Sequence, residues 1–191
     1  ENLEEKIQEF MSKYSLFELL KEDIAEAYTL YCDMDGVLCD FERRFEQFTG
    51  LSPQEYLSQK EIELGSKNKA TEQFWDVIDN QVGVRYWVGI PWMPEGEKLW
   101  NHIKKYKPTL LSSPSRGETS RLGKRLWVRN NLPGTKLILA RASDKQNYSG
   151  PNKILIDDRE DNIQQWKSKN GIGILFKSTD QVINELSKLG L

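Results

Sequence analysis

Two carboxylates one residue apart, Asp33 and Asp35, follow the apolar, β-prone run Tyr28-Thr29-Leu30-Tyr31-Cys32 and precede Gly36. An unpaired buried carboxylate is very costly, so these two must face a cation, a donor network or water. The carboxyl ends of strands in an open α/β sheet are where ligands bind, and a glycine there lets the chain turn sharply. Two acids in that place suit a hard divalent cation such as Mg²⁺, which takes oxygen ligands. The plainer reading is a strand-end turn in which Asp makes local hydrogen bonds. A second acidic pair, Asp157-Asp158, follows Ile154-Leu155-Ile156. Adjacent like charges at a strand end repel unless a cation joins them. Ser112 and Ser113 end another apolar run, and Arg141, Asp144 and Lys145 come after a further one, 136–140. Carboxylates that bind Mg²⁺, beside a hydroxyl and a lysine that hold anionic oxygens, make a phosphoryl-transfer site.

Such groups meet only if the runs that carry them are parallel strands with their ends on one edge. The apolar runs at 28–33, 109–112, 136–140, 153–157 and 172–176 read as five strands separated by helical patterns. That alternation predicts βαβ crossovers and a three-layer α/β/α sandwich around a parallel sheet. Helices are expected at about 40–48, 95–106, 119–130 and 179–189. Ser52-Pro53-Gln54-Glu55 is a further helix start, with an N-cap, a proline in the first turn and a glutamate at the third position. Between about 51 and 93 only helical patterns occur, with 60–70 expected as a polar loop. This segment is read as a small helical cap inserted into a core of 28–50 and 94–191. Residues 1–27 form a helical extension of two capped amphipathic segments, 2–14 and 15–27, expected to pack on the domain.

The 191 residues suit one domain with a small insertion. Hydrophobic residues at 38% permit a core, and a net charge of −2 without a basic stripe argues against duplex nucleic acid as partner. Cys32 and Cys39 form neither a metal-type spacing nor a disulfide framework. There is no signal peptide and no apolar run of about 18 residues, so no membrane association is expected, and a reducing cytoplasm is the default. No P-loop motif occurs, and the single histidine, His102, gives little support to a Ser-His-Asp hydrolase.

The ordered set Asp-x-Asp-Gly-Val, Ser112 after a strand, a lysine, and Asp157-Asp158 after a strand resembles the haloacid-dehalogenase-like phosphatase superfamily, and with it that family's Rossmann-like fold. Within it, DMDGVLCDF, WMPEGEKLW, LLSSPS, GKRLWV, LARASDK and ILIDDRED are similar to the 5′(3′)-deoxyribonucleotidases. The resemblance covers about 28–160 and is weakest over 51–90. It implies that Asp33 is a nucleophile forming an aspartyl-phosphate and that Asp35 is the acid and base. It implies Mg²⁺ held by Asp33, the main-chain carbonyl of Asp35 and a fourth-strand acid, Asp158 being preferred to Asp157. Ser112, with Ser113 beside it, would donate to the phosphate. Lys145, or in competition Lys124, would neutralise the charge, and Arg141 and Arg159 would assist. Phe41 matches a base-stacking position, and Phe74, Trp75, Tyr86 and Trp87 would complete an aromatic pocket. The implied function is Mg²⁺-dependent hydrolysis of a nucleoside monophosphate, a small-molecule phosphate ester, by a chain for which a homodimer is compatible. The alternatives are another phosphomonoesterase, such as a 3′-phosphatase acting on nucleic-acid ends, and a catalytically silent binding module on the same fold.

Overall fold

The computed structural model describes residues 2–13 and 28–191. Five short strands form one sheet: β1 (Thr29–Cys32), β2 (Thr109–Ser112), β3 (Leu137–Leu139), β4 (Lys153–Asp157) and β5 (Ile172–Leu175). All pairings are parallel and the order is β3-β2-β1-β4-β5. Cys32 lies opposite both Leu110 and Ile156, so β1 is central and the ends of β1, β2 and β4 finish at one edge.

Side chains alternate across a strand, and that alternation builds two separate cores. Leu30, Cys32, Leu110, Ile154 and Ile156 face one way. There they meet α6 (Gly96–Ile103) through Leu99 and Ile103, α7 (Glu118–Asn131) through Trp127, and α9 (Thr179–Lys188) through Val182 and Leu186. Tyr31, Leu111 and Leu155 face the other way, onto Ile163 and Trp166 of α8 (Glu160–Lys167). A sheet buried on both faces by helices is the arrangement expected of parallel strands.

The remaining helices are α1 (Leu3–Lys13), α2 (Phe41–Thr49), α3 (Pro53–Leu64), α4 (Lys67–Asp76) and α5 (Val84–Val88). Helix α3 starts on the expected Ser52–Glu55 capping box. The loop expected over 60–70 is not there. α3 continues to Leu64, Gly65 ends it in the left-handed region at φ 64°, and Ser66 caps α4 at once. One glycine that takes positive φ freely is enough to separate two helices. Val77–Val82 winds as a π-helix, a rare form that is frequent at functional sites. Where the chain enters and leaves this helical stretch the two segments are tied together. Asp40 N–H donates to Pro91 O and Met93 N–H to Leu38 O, both at 2.8 Å.

Helix α1 leaves Leu3, Ile7 and Met11 exposed instead of burying them on the domain, contrary to expectation. The second segment expected there, 15–27, lies outside the described residues. No helix among the described residues is long and apolar enough to cross a membrane.

Candidate active site

Directly after β1 the chain folds into a tight turn. Met34 O accepts from the N–H groups of Val37, Leu38 and Cys39, and Gly36 takes φ +76°. A Cβ on Gly36 would lie 2.2 Å from Asp158 Oδ2, so the glycine is needed both for the turn and for the approach of the fourth-strand acid. The turn presents Asp33 and Asp35 to a cleft of about 1310 Å³, which lies between the sheet edge and α2, α4 and the π-helical segment.

Each catalytic-type acid has its own buried lysine. Lys145 Nζ lies 2.8 Å from Asp33 Oδ2 and 2.7 Å from Asp157 Oδ2. Burial opposes its charge, but Asp33 and Asp157 outweigh that and hold its pKa above the ordinary value. Lys124, on α7, forms an ion pair with Asp35 Oδ2 and donates to Ser112 Oγ at 3.1 Å. The two lysines that compete for one role in the sequence are thus both in the centre, on different acids. Asp33 Oδ1 accepts from Met34 N–H at 2.8 Å. Burial pushes the Asp35 carboxyl up, against the pull of Lys124, and its Oδ1 has no hydrogen-bond partner among the described residues. A carboxyl with one oxygen free of partners is placed to exchange a proton with a group in the cleft.

The second acidic pair divides its work. Asp157 is fully buried. Its oxygens accept from Lys145, from the Arg159 N–H at 3.0 Å and from Asn162 Nδ2 at 2.9 and 3.0 Å. Asp158 is exposed as a residue, but its carboxyl packs on Gly36. Burial, with the charges of Asp33 and Asp157, pushes that carboxyl up to about 7. One oxygen from each of Asp33, Asp157 and Asp158 lies within 4.8 Å of the others. Three carboxylates held this close, two of them, Asp157 and Asp158, with their ionisation disfavoured, form an all-oxygen donor set that fits a hard cation such as Mg²⁺. Asp157 is already engaged by three donors, so Asp158 is the freer ligand.

Other expected site residues are distributed unevenly. Ser113, not Ser112, lines the cleft, and its Oγ has no partner among the described residues. Ser112 is fully buried under it, with Lys124 on its hydroxyl. Arg141 does not reach the cleft. It lies beyond β3 in a separate depression with Arg121 and Asp144, because the chain turns away there before Lys145 comes back inward. Arg159 lines the cleft, but its guanidinium donates to Asp161 at 2.7 and 3.2 Å. Phe41, Trp75 and Trp87 line the cleft. The Phe41 ring centroid is 6.3 Å from that of Trp75 and 5.8 Å from that of Trp87. Phe74 and Tyr86 are core residues instead, 6% and 0% exposed. Two polar cleft residues, Asp79 and Arg116, are not legible in the sequence as site residues, since neither belongs to a motif or stands at a strand end. Asn162 could have been found, five residues past Asp157 on the first turns of the following helix.

No protein-family model and no curated protein matches the chain. Solved structures do resemble it. A candidate phosphoglycolate phosphatase from Lactobacillus plantarum matches with TM-score 0.50 and 16% identity, over 82% of this chain and 97% of that one. A HAD-superfamily hydrolase of subfamily IA, variant 1, from Geobacter sulfurreducens matches with TM-score 0.50 and 13% identity, over 84% and 97%. At such identities the likeness establishes the fold: this chain has the Rossmann-like α/β architecture of the haloacid-dehalogenase-like hydrolases, with its acidic turn at the end of the central strand.

Proposed function

We propose that the chain is a Mg²⁺-dependent phosphomonoesterase acting on nucleoside monophosphates, with residues 51–93 as a cap over the core. The observation that carries the proposal is the placement of Asp33 and Asp35 one residue apart on the cleft floor, each beside its own buried lysine. Asp33 attacks the phosphorus and the bond to the ester oxygen breaks. Asp35 gives its proton to that oxygen as it leaves. Lys124, already paired with Asp35, stabilises the carboxylate that results. Asp35 then takes a proton from water as the water attacks phosphorus, which frees Asp33 and inorganic phosphate. Lys145 holds the charge of Asp33 in place, and Ser113 is the hydroxyl free to donate to a phosphoryl oxygen. Asp33 and Asp158, with Asp157 beside them, would hold Mg²⁺, which would supply charge to offset the phosphoryl oxygens.

The outer cleft decides the leaving group. Phe41 and Trp75 offer flat apolar surface, while Glu42, Glu72 and Asp76 outnumber Arg116 and Arg159 along the wall. An aromatic base suits this surface. A carboxylate on the ester, or the polyanion of a nucleic-acid end, meets like charge. Trp75 is 38% exposed, so its removal tests stacking with little effect on the core. Stacking one base on an aromatic ring is worth ~1–3 kcal/mol, so Trp75→Ala should lower kcat/KM for nucleotides by roughly ten- to a hundredfold. It should barely change p-nitrophenyl phosphate. The assay is kcat/KM for deoxyuridine 5′- and 3′-monophosphate, uridine 5′-monophosphate, 2-phosphoglycolate and p-nitrophenyl phosphate. Better turnover of 2-phosphoglycolate than of every nucleotide would reject the nucleotide reading and leave the phosphatase.

A second expectation concerns the metal. Chelation with EDTA should abolish phosphate release, Mg²⁺ should restore it, and Ca²⁺, with longer bonds and more ligands, should not. Full activity in EDTA would exclude metal assistance.

A further inference from the structure

The cleft wall contains a carboxylate that the mechanism above does not use. Asp79 lies in the π-helical segment Val77–Val82. Its Oδ1 accepts from Ser115 Oγ at 2.9 Å, from Thr119 Oγ1 at 3.1 Å and from Trp87 Nε1 at 3.3 Å. Three donors from three different segments therefore share one oxygen. Ser115 belongs to the loop after β2, Thr119 to the first turn of α7 and Trp87 to α5. Gly117 completes the fit, because a Cβ there would lie 3.1 Å from the Asp79 carboxyl carbon.

The loop so gripped runs from Ser113 to Gly117 and lines the cleft along its whole length. It carries the free Ser113 hydroxyl and the exposed Arg116. The third donor leads to the other side of the centre. The Trp87 ring lies 5.0 Å from Lys124 Nζ, and Lys124 is paired with Asp35. Trp87 itself sits tightly on α7, since a Cβ on Gly123 would come within 2.2 Å of the Trp87 Cβ. A π-helical turn, wider than an α-turn, holds the carboxylate at this junction.

We infer that Asp79 is a positioning residue: it sets the Ser113–Gly117 loop against the phosphoryl group and fixes that loop and the inserted helices as one unit. Its role is to accept hydrogen bonds, so an amide oxygen at the same place serves nearly as well as a carboxylate. The activity arm of the test rests on the phosphatase reading; a second arm does not.

That second arm is limited digestion with trypsin. Ser115 and Thr119 flank the Arg116–Gly117 bond, and both are held by Asp79. In Asp79→Ala the loop opens, and cleavage after Arg116 should be faster by about tenfold or more. In Asp79→Asn it should stay within about threefold of wild type. For p-nitrophenyl phosphate, kcat/KM should fall by roughly ten- to a hundredfold in Asp79→Ala, as for other displacements of a group that positions substrate. Most of that loss should lie in KM, because the loop binds the phosphoryl group before and during reaction alike. Asp79→Asn should recover most of it. Unchanged cleavage in Asp79→Ala, or equal damage in Asp79→Asn and Asp79→Ala, would overturn the proposal. If the wild type hydrolyses no phosphate ester, the phosphatase reading falls, and the digestion still decides the loop.

Discussion

Asp33→Asn should fold as the wild type does and lose phosphate-ester turnover by roughly 10⁴- to 10⁶-fold, the scale seen when a covalent nucleophile is removed. The two halves of this expectation have separate physical grounds. The amide oxygen of Asn still accepts from Met34 N–H, which Asp33 Oδ1 does now at 2.8 Å. Lys145 keeps Asp157 at 2.7 Å, so its buried charge remains paired. One of three crowded carboxylates also loses its charge, which relieves repulsion in the metal-free protein. Activity has no such reserve, because no other cleft-floor carboxylate occupies that place in the turn. The measurements are phosphate release, thermal unfolding, and rapid quenching with a ³²P-labelled ester to trap phosphoprotein. Wild type should retain acid-stable label and Asp33→Asn none. Residual turnover above about a tenth of wild type, a barrier change under ~1.4 kcal/mol, would remove Asp33 from the role of nucleophile.

The second large effect is on stability. Lys145→Met removes the only group that ion-pairs with both Asp33 and Asp157 among the described residues. Asp157 is 0% exposed, so removing the ammonium leaves a buried carboxylate short of its cation. Breaking one side of a buried ion pair costs about 3–5 kcal/mol, a large share of the roughly 5–15 kcal/mol that holds a domain folded. Urea unfolding should show a midpoint shifted by that amount. Asp157→Asn placed in the Lys145→Met background should recover part of the loss, since it discharges the stranded acid, whereas two independent sites would simply add. A shift below about 1 kcal/mol in Lys145→Met would show that the pairing is not what keeps Asp157 inside.

Much of this arrangement is legible in the sequence, because β1, β2 and β4 are short, apolar and followed at once by polar residues that line the cleft. β4 occupies the expected Lys153–Asp157, and the acids stand where the run stops. What fails is whatever depends on one-residue geometry. The polar stretch 60–70 hides two helices because Gly65 alone makes the turn between them, and polar residues there are solvated helix faces as readily as loop. Ser112 and Ser113 look equivalent in sequence, yet β2 ends between them, so the buried strand residue serves Lys124 and the first loop residue serves the cleft. Arg141 stands in the same segment as Lys145, and the 3₁₀ turn between them sends only the lysine inward. Asp79 leaves no trace at all, because a π-helical turn has no sequence signature and its three partners come from distant segments.

The central place of β1 also governs the order in which the chain can become what it is. On a growing chain β1 emerges long before either neighbour: Tyr31 awaits Thr109 on one side and Leu155 on the other. Pairings across such separations are slow to form, since the intervening loops must close first. Until β4 docks, Asp33 and Asp35 lack the strand that brings Asp157 and Asp158, and the segment before it that brings Lys145. The acids that crowd Asp33 and the lysine that quiets them therefore come to it from one short stretch of chain, 145–158, so the repulsion and its remedy are never far apart in the sequence.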